Sequence, residues 1–250
     1  MAGLGAAFLG VGLLVGRKAL GQFGRAYRLL TTDVVAATDV TAGGTTAVSG
    51  AVEARGETGG VGSLFEEDAV FCYTEAQKYV GGDTQRGQRW DTYHWNYEGV
   101  PFDVADGTGS VGVSPPTCPT GARTSGPEIE VDLPMESVTF ESDEPAPDGV
   151  LDYIEHVDGF QRGPSGGTLR FRQSTLVPGE DAFVLGEATT GEAGPPTEVV
   201  IDGETRPGTF AVADEAGGSP LKNALFGLFL SWFAVAGTGA GGYFLYLLVT

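Results

Sequence analysis

A chain of 250 residues with 33 acidic against 14 basic side chains, a net charge of −19, is long enough to bury a sizeable core. That acid excess would repel a phosphate backbone, so nucleic acid is excluded as a partner. Two cysteines and two histidines, scattered singly, read as structural residues, with one zinc site from all four and a disulfide between the cysteines as the open alternatives.

In chain order, residues 1–20 read as an N-terminal transmembrane helix. The apolar run AGLGAAFLGVGLLVG, Ala2 to Gly16, ends in Arg17-Lys18. A secretory signal carries its positive charge ahead of the apolar run, whereas here the charge follows it, which favours a retained anchor. Residues 21–34 form a basic juxtamembrane segment with Arg25 and Arg28, in which Phe23, Tyr27 and Leu30 recur at helical spacing behind Leu20. The acids begin at Asp33 and end at Glu215, and only nine of the basic residues share that stretch with them.

Residues 35–220 read as strand and turn. In AVSGAVEARG, Val48, Gly50 and Val52 oppose Ser49 and Glu53; in PFDVA, Phe102 and Val104 share a face. The runs AVFCYTEAQKYV, RWDTYHWNY, TLRFRQSTLV, DAFVLGEAT and TEVVID are further strands, separated by clusters such as SPPTCPTGARTSGPE and SDEPAPDG. Only DGVLDYIEHVDGF has helical spacing, at Val150, Ile154 and Val157. The expected fold is mainly β, an antiparallel barrel or sandwich-like domain held between two transmembrane α-helices. The second of these occupies residues 222–249, where Ala224 to Val249 carries no charge and is long enough to cross about 30 Å of hydrocarbon. The positive residues beside both spans orient the chain as a multi-pass cell-membrane protein with its central domain in the cytoplasm. Gly12-x-x-x-Gly16 and Gly237-x-x-x-Gly241 would let two helices associate closely, and the lipid bilayer is the expected environment of both.

Gly107, Gly109 and Gly112 match the G-x-G-x-x-G pattern of dinucleotide-binding turns. That chemistry needs a helix directly after the glycines, and Val113-Ser-Pro-Pro follows instead. Two short β runs around Asp106-Gly107-Thr108-Gly109 make it a hairpin turn. Cys72, Cys118, His94 and His156 show no pair at metal-ligand spacing, and no nucleophile-elbow pattern occurs, so no catalytic, cofactor or metal residue is assigned. The aromatic run Trp90, Tyr93, Trp95 and Tyr97 is the distinctive feature. Strand alternation puts Tyr93, Trp95 and Tyr97 on one face, as a core ladder or a partner-binding patch.

Taken in order, the strands VSGAVEARGE and RWDTYHW, the Cys72-Tyr73 strand between them, VPFDVADGTGSVGV and LVPGEDAFVLGEA resemble the GIDE, or "beside a membrane", domain family. That family includes mitochondrial E3 ubiquitin ligases and prokaryotic membrane proteins. The resemblance covers roughly residues 35–215 and both spans, and its sharpest element is Pro101 and Phe102 followed by Asp106, Gly107 and Gly109. It implies an interaction or regulatory module presented by a two-span membrane protein, acting on other proteins at the membrane. Ligase activity is the alternative that the family suggests, but a RING finger uses eight Cys and His ligands and this chain has four such residues. Acid excess with only three lysines also gives the chain a halophile-type composition, in which carboxylates keep a protein hydrated at high salt.

Overall fold

A computed structural model describes residues 32–55, 61–65, 68–81, 89–118, 129–156, 167–191, 199–205 and 209–214. Nearly all of these belong to one compact unit, Val34–Glu215. Its strands are β1 (Gly44–Ala54), β2 (Phe71–Tyr79), β3 (Trp90–Gly99), β4 (Phe102–Ala105), β5 (Ser110–Ser114) and β6 (Glu130–Asp132). These are followed by β7 (Met135–Glu141), helix α1 (Asp148–His156), β8 (Thr168–Leu176), β9 (Asp181–Thr190), β10 (Val199–Asp202) and β11 (Ala211–Asp214).

The alternation of β1 buries Val48 and Val52 and leaves Glu53 outside, so the strand has one core face. It has two partners. Gly44–Ala51 pairs with β9, and Ala51–Ala54 pairs with β4, both antiparallel. The ladder continues from β4 to β5, from β5 to β10 and from β10 back to β9, closing a five-stranded barrel. Its members follow the order β1-β4-β5-β10-β9, with the one helix lying between its third and fourth strands in the chain. This is the Greek-key arrangement of an OB-type barrel. The sheet is not antiparallel throughout: β5–β10 and β6–β11 are parallel pairs, because long segments intervene between their strands. One edge of β9 is shared, with Ala182–Leu185 on β11 and Glu187–Thr190 on β10.

Gly50 makes the double pairing of β1 possible. A Cβ at this position would lie 2.2 Å from the carbonyl oxygen of Ala105, so the β1 backbone passes closer to β4 than any side chain allows.

The second sheet, in the order β3-β2-β8-β7, is made of chain inserted between barrel strands. One of its faces supplies Phe71, Tyr73, Trp95, Tyr97 and Leu176 to the main core, where they join barrel residues Val48, Phe102, Val113, Val184 and Ile201. The opposite face carries Ala76 and Phe171 beneath Val150 and Tyr153 of α1. On that side, buried Gln173 donates to Thr74 Oγ1 at 2.8 Å and accepts from Ser63 Oγ at 2.8 Å and Leu64 N at 2.7 Å. These bonds fasten the segment before β2 to the sheet.

The expected frame of two transmembrane helices is corrected. No helix among the described residues is long and apolar enough to cross a membrane. The single α-helix among them has 9 residues, far short of the roughly 20 that a span requires. The apolar runs at 2–16 and 224–249, with their Gly-x-x-x-Gly spacings and the basic segment before Thr32, lie outside the described residues. The described structure is a mainly β domain built on a barrel, so the readings as a two-span protein and as a multi-pass cell-membrane protein are set aside with the helical frame.

Replacing Gly50 with alanine is expected to destabilise the domain by about 1–3 kcal/mol through the clash with β4. Gly44→Ala, where a Cβ meets nothing within 4 Å, should shift stability by less than about 0.5 kcal/mol. Urea unfolding of both variants measures the difference.

Candidate functional site

The aromatic run is divided by a β-bulge. Along β2 and β3, Tyr73 faces Tyr97, Glu75 faces Trp95 and Ala76 faces His94, but Gln77 faces Thr92, so Tyr93 is the extra residue. In a bulge two residues of one strand oppose one of the other, which interrupts the strict alternation of faces. Tyr93 therefore packs with Ala76, Tyr153 and Phe171 on the α1 side, while Trp95 and Tyr97 remain on the barrel side. Trp95 and Tyr97 stack at 6.0 Å and are buried in the main core. The periodicity that placed Tyr93 with them assumed an unbroken strand.

Trp90 has a different environment. The barrel-side face of the second sheet extends beyond the main core, and its outer half carries Glu75, Gln77 and Tyr79 of β2, Thr92 and Trp90 of β3, and Arg170 and Arg172 of β8. These residues form a connected array. Tyr73 Oη donates to Glu75 Oε1 at 2.8 Å, and Gln77 Nε2 donates to Glu75 Oε2 at 2.8 Å and to Thr92 Oγ1 at 3.2 Å. The amide oxygen of Gln77 accepts from Arg170 Nε at 3.0 Å and from Arg170 Nη2 at 2.5 Å. The Arg170 guanidinium lies 4.1 Å from the centre of the Trp90 ring, and Tyr79 meets the same ring edge-on at 5.4 Å. Arg172 Nη1 is 3.7 Å from Glu75 Oε2.

The electrostatics follow from this geometry. Burial and then the neighbouring Glu75 carboxylate raise the Tyr73 phenol, so it stays protonated and can only donate to that carboxylate. Desolvation, followed by the nearby charge of Arg172, lowers Arg170 from an ordinary value so high that it remains a cation at any physiological pH. Two cations thus stand side by side, one clamped by an amide and an indole and the other held near a carboxylate.

The remaining candidates take structural places. Phe102 is buried in the barrel core and Pro101 is exposed just before it. The β4–β5 turn is fixed by Asp106, which accepts from Thr108 Oγ1 at 2.6 Å, Ala37 N at 2.8 Å and Thr108 N at 2.9 Å. Gly107 has φ of 84°, and a Cβ on Gly109 would lie 2.7 Å from Thr38 Cγ2. The turn therefore fits closely against the 3₁₀ segment Ala37–Asp39.

Cys72 is buried and takes part in no disulfide. Burial, with Glu98 nearby, pushes the Cys72 thiol up to about 12, so it is not a thiolate nucleophile. Burial lowers the His94 imidazole from its ordinary value. Among the described residues no group of three or more His, Cys, Asp or Glu could hold a metal ion. On the β4 side of the barrel Asp103 lies 3.7 Å from Arg55 Nε. No family model, no curated protein and no solved structure matches the chain.

The array of Gln77, Arg170 and Arg172 was not singled out from sequence. The signal available was the alternation Arg170-Phe171-Arg172, which puts two cations on one face of a strand in an acidic chain.

Hydrogen bonds from the Thr108 hydroxyl, contributing most, and from the Ala37, Thr108 and Gly109 backbone hold the Asp106 carboxyl down at about 2. A carboxyl whose folded pKa is depressed stabilises the fold above its unfolded value, near 3.9, and loses that stabilisation as pH falls toward the folded value. Thermal melts between about pH 5 and pH 2.5 should therefore show a smaller acid-induced loss in Asp106→Ala than in the unaltered protein. The variant should already be the less stable of the two at neutral pH.

Proposed function

We propose that this β domain is a non-enzymatic protein-binding module whose contact surface is the outer half-face of the second sheet. The observation that carries this reading is the clamped Arg170, fixed by Gln77 and Trp90 on a part of the face outside the main core. A side chain whose rotamers are already fixed loses less entropy when a partner docks, and Trp, Tyr and Arg are the residues that dominate binding hot spots. The high pKa of the buried Cys72 thiol also favours binding over thiol-based group transfer. The GIDE-like order of strands and the Pro101 to Gly109 hairpin support the same reading, a regulatory or adaptor domain acting on other proteins.

A photoreactive amino acid at Thr139, an exposed residue of β7 opposite Arg170, tests this surface. Adducts with a discrete protein are expected from Thr139 and not from the exposed barrel position Glu53, and Trp90→Ala should abolish them. Equal labelling at the two positions, or labelling indifferent to Trp90→Ala, would overturn the assignment.

A further inference from the structure

The described residues include five basic side chains, and they are unevenly used. Arg55 is paired with Asp103, and Arg89 lies 3.4 Å from Asp91. Lys78 and Asp91 face one another across β2 and β3, one residue out of step with the array. Arg170 and Arg172 remain as a pair of cations on one sheet face.

Their hydrogen-bonding capacity is only partly used from within. Gln77 takes the Nε and Nη2 edge of Arg170, and Glu75 approaches one Nη of Arg172, while each guanidinium has five N–H donors. The acids on this face are occupied. Both oxygens of Glu75 accept from Tyr73 and Gln77, and Glu141, at the far end, accepts from Thr168 Oγ1 at 2.8 Å. Because both guanidinium groups lean toward β2, the neighbouring strip above β7 is left to Ser137 and Thr139, two exposed hydroxyl side chains paired with Arg172 and Arg170. Short hydroxyls beside two cations make a strip rich in donors.

The spacing of the pair is also informative. Residues i and i+2 of a strand lie about 6.7 Å apart on one face. An extended segment of another protein repeats its own side chains at that same distance, so carboxylates at alternate positions would meet Arg170 and Arg172 in register.

We infer that the outer half-face binds an extended acidic segment of a partner protein, with alternate Asp or Glu carboxylates on Arg170 and Arg172 and an apolar residue against Trp90. This rests on the protein-binding reading and specifies its partner. Charge-assisted contacts of this kind act at hydrogen-bond distance, so they hold the segment although the long-range field of a chain with net charge −19 opposes it.

The test is calorimetric titration of the full chain with a ten-residue peptide carrying Glu at alternate positions. The same peptide with Lys in place of Glu, and inorganic phosphate, serve as controls. Saturable binding of the Glu peptide is expected, weakened about tenfold by Arg170→Gln and by Arg172→Gln and unchanged by Arg89→Gln. Melting curves of the variants confirm that they remain folded. Absence of binding, or binding unaffected at both arginines, overturns the inference, as does phosphate displacing the peptide at equal concentration, which would indicate a simple anion site. If the Lys peptide binds through Trp90 instead, the acidic partner is wrong and the protein-binding reading stands. If the Thr139 adducts are also missing, both fail.

Discussion

The backbone of β1 at Gly50 is the constraint on which the rest of the domain depends. One strand serves two neighbours, β9 along Gly44–Ala51 and β4 along Ala51–Ala54, and only a residue without a side chain can pass the Ala105 carbonyl so closely. Closure of the barrel follows from that passage. It hands β1 from β9 to β4 at Ala51 and turns Val48, Val52, Phe102 and Val104 toward a common interior. The neighbouring β4–β5 turn is then anchored by Asp106 to the 3₁₀ segment, so the glycines at 107 and 109 belong to the mechanics of closure.

The second sheet takes its character from the barrel. Where it lies against barrel residues it buries Phe71, Tyr73 and Tyr97; where it extends past them, the same face must satisfy itself by other means. The chain places Glu75, Gln77, Arg170 and Arg172 there, and these bond to one another across strands. Such a network gives the sheet rigidity without requiring cover, and a rigid charged surface with an indole in it is suited to recognition. The back of the sheet is conventional, with α1 packed on Ala76 and Phe171 and with Gln173 satisfied on both sides of its amide.

Parts of the barrel were legible where apolar residues alternate, as at Val48 and Val52 or Phe102 and Val104. The strands that escaped, β6, β7 and β11, are short or lie at an edge: β7 exposes Glu136, Ser137, Thr139 and Glu141 and reads as polar loop. The bulge at Tyr93 was invisible for a related reason. Nothing in RWDTYHWNY marks which residue is left unpaired, since that depends on how β3 meets β2. Hydropathy likewise set the expectation of a helical membrane frame, and the described domain contains one nine-residue helix packed on a sheet.

By itself the sequence determined that the central chain is β structure and that Gly107 and Gly109 form a turn. Both follow from local chemistry: side-chain alternation and backbone permissiveness at glycine. Tertiary structure alone decided that Trp95 and Tyr97 are core while Trp90 supports Arg170, and that Gln77 links Glu75 on its own strand to arginine on the next. The physical reason is that a strand's alternation gives two faces but not what covers each. How far the barrel reaches along the sheet settles that, through contacts between residues distant in the chain, such as Gly44 and Ala188.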